Sequence, residues 1–139
     1  MVIRDEQIAT LDGKVTSTFA ADLAAYVRER HSTTIVSLRG EESQVSALPK
    51  STLEALVQGG IERARTYGIR WRSAAASFVV AMFVIAPNFD EDVRVSEFLK
   101  DPDIEPNFRM DAARRRLTED QWNAIRRKYN VNAWGIDLE

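Results

Sequence analysis

Apolar positions recur at helical spacing along most of this chain, and in one stretch the polar positions between them stop. Ser73 to Pro87 reads S-A-A-A-S-F-V-V-A-M-F-V-I-A-P and contains no charged residue. From Phe78 to Ala86 every side chain is apolar, so no polar face remains for water. A helix that is apolar all round has to be covered all round, by other elements or by lipid. Spanning a bilayer takes about 20 apolar residues. This run is shorter, with Arg70 and Arg72 close before it and Pro87 closing it. The pattern predicts a buried central helix over about 72–86, with the other segments packed around it. A deeply buried strand competes, because Phe78, Val79, Val80, Phe83, Val84 and Ile85 favour strands too. The alanines and the helical pattern just upstream favour the helix.

Residues 5–30 read as one long amphipathic helix. Ile8, Leu11, Val15, Phe19, Leu23, Tyr26 and Val27 recur at steps of three and four. Asp5 and Glu6 suit its N-terminal end, and Arg28 and Arg30 the other. Gly13 weakens its middle, so a break near Asp12-Gly13 competes with the continuous helix. Residues 31–50 are expected to be mostly loop, with a helical turn near Gln44 to Leu48. Thr33 to Leu38 has strand character, but no convincing second strand stands near to pair with it.

Ser51 and Glu54 form a capping-box pattern, and Leu53, Leu56, Val57, Ile61 and Ala64 follow on one face. Gly59-Gly60 within this helix implies close approach of a neighbour. Gly68 suits the left-handed position after its end. A short helix is expected over Val93 to Lys100, burying Val93, Phe98 and Leu99. Pro106 opens another to about Arg116. Thr118 and Gln121 form a second capping box, opening a helix to about Tyr129 that turns Trp122, Ile125 and Tyr129 inward. The tail from 130 to 139 is irregular, and Trp134 predicts that it docks.

The totals fit that picture. A chain of 139 residues with 45% hydrophobic and 29% charged residues suits one globular domain. The net charge of −2 gives no general attraction to nucleic acid or anionic membrane. Lack of cysteine removes disulfides, thiol nucleophiles and zinc-thiolate sites. The opening M-V-I-R-D-E-Q lacks the pattern of a secretory signal, so a cytoplasmic location is expected.

Candidate chemistry is thin. His31 is the one histidine and ends a predicted helix, where it serves as a C-terminal charge partner. Asp90-Glu91-Asp92 is a dense carboxylate group, but the calcium-loop pattern with its glycine is absent, and these acids read as helix starters. No Gly-rich phosphate loop is present. No cofactor or metal is expected, and no enzymatic role. Arg114-Arg115-Arg116 and Arg126-Arg127-Lys128 fan around consecutive helices, which suits a solvated surface better than a DNA-facing stripe. Arg70-Trp71-Arg72 has the residue mix of a binding hot spot. In its competing reading Trp71 folds over the central helix while the arginines stay wet.

Several of these residues recur in a known pattern. Ile3-Arg4 with Glu6-Gln7-Ile8, then Phe19, Gly60-Ile61, Arg63-Ala64, Tyr67-Gly68-Ile69, Met82-Phe83, and Phe89-Asp90 with Asp92 stand in its order. Across residues 3–103 the chain resembles a family of small uncharacterised bacterial proteins with a G-I-x-R-A-x-x-Y-G-I block. It departs from them at Ala86-Pro87, where they usually have glycine, and in a longer 31–50 segment. Such proteins neighbour type VI secretion genes, near spike, PAAR-tip and effector genes. The resemblance carries no catalytic residues. It implies a shared fold and a protein partner at such a locus.

The sequence therefore predicts a single all-α domain of five to six helices around the central one. Its expected role is a non-enzymatic adaptor or chaperone for an effector or spike-tip protein. The expected partner surface is Arg70, Trp71, Arg72, Phe89, Asp90 and Asp92. An immunity protein neutralising a toxin, and a small DNA-binding regulator, are the alternatives.

Overall fold

The computed structural model describes residues 17–38 and 41–134. These form a predominantly helical structure: α1 (Ser17–Arg30), α2 (Lys50–Thr66), α3 (Arg72–Val84), α4 (Val93–Leu99), α5 (Pro106–Arg116) and α6 (Glu119–Arg126). A hairpin of β1 (Ile35–Leu38) and β2 (Glu41–Gln44) follows α1. Short 3₁₀ turns occupy Val45–Ala47, Phe89–Glu91 and Val131–Trp134.

The uncharged stretch is a helix and it is central: α1, α2 and α5 all pack on α3. Its Ala74, Ala75, Ala76, Phe78, Val79, Ala81, Met82 and Phe83 are buried. Helical geometry stops at Val84, with Ile85 as cap. Pro87 accounts for this, since it disfavours α geometry in the residue before it. The helix is not covered all round, however. Ser73, Ser77 and Val80 are half-buried and Val84 is exposed, a stripe at steps of four, three and four. Two serines begin that stripe, so water is tolerated at one end of it.

The seam between α2 and α3 is set by glycine. A Cβ on Gly60 would stand 2.9 Å from Met82 Sδ and 3.0 Å from Val79 Cγ2, so the hydrogen is what lets the helices approach. Gly68 has φ +84°, the left-handed conformation expected past the end of α2. The start of α2 differs from expectation. It begins at Lys50, with Pro49 as N-cap and no side-chain cap hydrogen bond, so the Ser51–Glu54 capping box does not form. Proline fixes the entry dihedral, and the chain is helical before Ser51 is reached.

Within 31–50, Ile35–Leu38 and Glu41–Gln44 pair as antiparallel strands where loop was expected. Val36 pairs with Ser43 and is buried, as is Val45 in the following turn, the helical turn expected there. Such a hairpin is marginal alone. Here Arg28 of α1 donates to the carbonyls of Ser46 at 3.0 Å and Leu48 at 2.7 Å. The Ser37 amide donates to the Tyr129 hydroxyl at 3.2 Å. Of the long first helix, Phe19, Leu23 and Val27 are buried as expected. Its part before Ser17, with Ile8, Leu11, Val15 and the Asp12-Gly13 break, lies outside the described residues.

In α4 the buried pair is Val95 and Leu99, while Val93 is 66% exposed and Phe98 only half-buried. Residues four apart share a face, and Val95 to Leu99 is that step. The Thr118–Gln121 capping box forms as predicted, but α6 ends at Arg126, short of Tyr129. Trp134 is buried against Phe83, with ring centroids 5.0 Å apart, so the described part of the tail, to Trp134, docks.

Candidate functional site

The residues expected to face a partner divide into two groups. Phe89 is fully buried, its ring 4.9 Å from that of Phe78, and Asp90 is 3% exposed. Neither is at the surface, which corrects their placement on a partner-facing rim. Asp92 caps α4, accepting a hydrogen bond from the Arg94 amide at 3.0 Å. It is thus engaged in starting the helix, the role foreseen for the acids of that segment.

Asp90 belongs to an interior polar cluster. Arg63 Nη1 stands 3.3 Å from one carboxylate oxygen, and the Tyr67 hydroxyl donates to the other at 2.8 Å. Arg63 also donates to the carbonyls of Pro87, at 2.5 Å, and Ala133. One guanidinium thus ties α2 to the loop after α3 and to the C-terminal tail. The arrangement supplies a structural reason for Arg63 and Tyr67: a buried acid needs a cation and a donor.

Burial and the Asp90 carboxylate, which accepts its hydrogen bond, push the Tyr67 phenol well above its ordinary pKa. Burial likewise raises that of Tyr129. A phenol whose pKa is raised on folding contributes its full stability below the unfolded value and loses it as pH climbs past that value. The urea midpoint should therefore hold up to about pH 10 and fall steeply above it. Phenolate absorbance of the native chain should lag that of the urea-unfolded chain over the same range. Superimposable titration curves would contradict the burial of these hydroxyls.

Arg70, Trp71 and Arg72 lie in the link into α3. Asn107 Oδ1 accepts from the amides of both Arg70 and Trp71 at 2.8 Å, pinning that link to α5. The Arg70 side chain is exposed. Trp71 is half-buried, packed against the core and edge-on to Phe108 at 5.3 Å between ring centroids. Arg72 lies 5.2 Å over the Phe19 ring. The Trp71 side chain therefore both packs and lines a surface depression.

A larger concave feature adjoins that depression. The uncovered stripe of α3 forms the floor of a groove of about 590 Å³. Tyr26 of α1 and the following His31 make one wall, and Met110, Arg114, Trp122 and Arg126 of α5 and α6 the other. A smaller hollow of about 260 Å³ continues it toward Trp71 and Phe108, sharing Ser73, Ser77, Met110 and Arg114. Along its rim, Arg114 Nη1 donates to the Ser77 hydroxyl at 3.2 Å, and Arg126 pairs with Glu119 at 3.3 Å.

No protein-family model, curated protein or solved structure matches the chain. The groove is therefore read from its own chemistry: apolar contact area with a mostly cationic rim. Among the described residues, no group of three histidine or acidic side chains converges as a metal site would require. No helix among them is long and apolar enough to cross a membrane. The groove was not foreseen from sequence. Its signal was present in the spacing of Ser73, Ser77, Val80 and Val84, which an all-round apolar reading of the helix conceals.

Proposed function

We propose that this chain is a non-enzymatic protein-interaction module that receives its partner in the α3 groove. At a type VI secretion locus it would act in the cytoplasm as adaptor or chaperone for an effector or spike-tip protein. The observation that carries the binding role is the groove itself. It leaves an apolar stripe of the central helix accessible, and exposed apolar concavities mark interaction sites. The locus rests on the resemblance of the Gly60–Ile69 and Met82–Asp92 blocks.

The basic residues of α5 and α6 favour protein over DNA as the partner. Arg115 pairs with Asp111 at 3.1 Å and Arg126 with Glu119, so part of that charge is already met. The test is a pull-down of the tagged chain from cells expressing its gene neighbourhood, with a Val84→Arg variant alongside. Val84 is 38% exposed, so the arginine blocks the groove with little cost to folding. A stoichiometric effector or spike-tip protein, lost with Val84→Arg, is expected. A toxin neutralised on binding would replace the adaptor with an immunity role. Retention of nucleic acid alone, falling steeply with salt, would overturn the reading.

A further inference from the structure

We infer that the groove is shaped for an amphipathic helix of a partner protein, about three turns long, presenting a carboxylate to Arg114. This rests on the groove being the partner site, and specifies what it recognises. The walls decide between helix and strand. The groove is lined by α1, α3, α5 and α6 and the residues that adjoin them, and hydrogen bonds within a helix occupy its backbone groups. A strand adds to a free sheet edge, and none of the hairpin residues lines the groove. The floor from Ser73 to Val84 spans about 16 Å at the helical rise, matching three turns of a ligand helix. The small serines at one end admit a closely approaching backbone, and the valines at the other offer apolar contact.

Charge sets the polarity. Among the described residues Arg114 meets only the uncharged Ser77 hydroxyl, whereas Arg126 is already paired with Glu119. An acidic side chain is therefore attracted to Arg114 at the serine end, where Asp111 is already met by Arg115, whereas at the other end the Arg126–Glu119 pair offers it little. The occupant carries its carboxylate toward Ser77 and leaves the Val80–Val84 end to apolar side chains.

The experiment selects from a displayed library of helix-stabilised peptides of about fourteen residues against the purified full chain. Expected are sequences with an apolar stripe at steps of three and four and an acidic flank, bound at least about tenfold more weakly by Val84→Arg. Arg114→Glu should weaken these peptides about tenfold and strengthen versions carrying lysine in place of the acid. Arg114 is exposed, so this variant keeps the fold. Enrichment of apolar peptides with no acidic preference, or no charge swap with Arg114→Glu, would overturn the ligand class and leave the groove as partner site. Failure to enrich any peptide sensitive to Val84→Arg would overturn the helical ligand. A cellular partner unaffected by Val84→Arg would instead remove the groove reading itself. A concentration-dependent dimer that Val84→Arg makes monomeric would assign the groove to a second copy of this chain and overturn the inference.

Discussion

Replacing Arg63 with methionine should lower the unfolding free energy by about 3 kcal/mol, the low end of the range for breaking a buried pair. Methionine keeps the aliphatic stem and removes the guanidinium. Asp90, 3% exposed, would then keep the Tyr67 hydroxyl at 2.8 Å as its remaining described side-chain partner. The carbonyls of Pro87 and Ala133 would lose the same donor. The low end applies because the Arg63 side chain is itself 26% exposed, which lets water reach the vacated position. Asp90→Asn is the informative companion. It keeps the shape and leaves Arg63 its two carbonyl acceptors, so a smaller loss of about 1–2 kcal/mol is expected. In the double variant the losses should fall short of their sum, because the second change relieves the unpaired group the first creates. Urea unfolding of the four proteins gives all these values. Strict additivity would show that the two groups do not act as a pair.

The same cluster shows why part of the architecture was readable from the chain and part was not. Helices whose signals are local emerged as expected: the Thr118–Gln121 box, Pro106 at the first turn of α5, Gly68 after α2. The hairpin was missed because β2 reads E-E-S-Q, with no β-branched or aromatic side chain to mark a strand. Its stability comes from Val36, Val45 and the distant Arg28 and Tyr129, contacts that local pattern does not encode. Asp90 illustrates the opposite error. Beside Glu91 and Asp92 it reads as one of a run of helix-starting acids on a partner-facing surface, yet its cation lies 27 residues earlier on α2. The groove was hidden for a third reason. Val80 and Val84 look like core in composition, and only the packing of α1, α5 and α6 leaves their stripe open. Trp71, whose flanking arginines mark it in the sequence as a binding candidate, lines the smaller hollow that continues the groove.

The two adjacent glycines of α2 should differ in what they tolerate. At Gly59 a Cβ would meet, among the described residues, only the Trp134 carbonyl oxygen, at 3.7 Å, an ordinary contact. Gly59→Ala therefore gains helix propensity without strain and should stabilise by about 0.5–1 kcal/mol. At Gly60 the first added atom already stands 2.9 Å from Met82 Sδ and 3.0 Å from Val79 Cγ2. Methionine is flexible and can move aside, but a valine in a helix has one strongly preferred rotamer and cannot. Alanine at Gly60 sets the propensity gain against that contact and should land near neutral. Gly60→Val adds two further methyl groups at the tightest point between α2 and α3, and overpacking of this kind costs about 3 kcal/mol. The helices separate there, and Phe78, Val79 and Met82 lose contacts on the buried side of α3. Thermal unfolding monitored by circular dichroism measures the three variants. A Gly60→Val protein as stable as Gly59→Ala would mean that α2 and α3 do not approach as closely as the glycine seam requires.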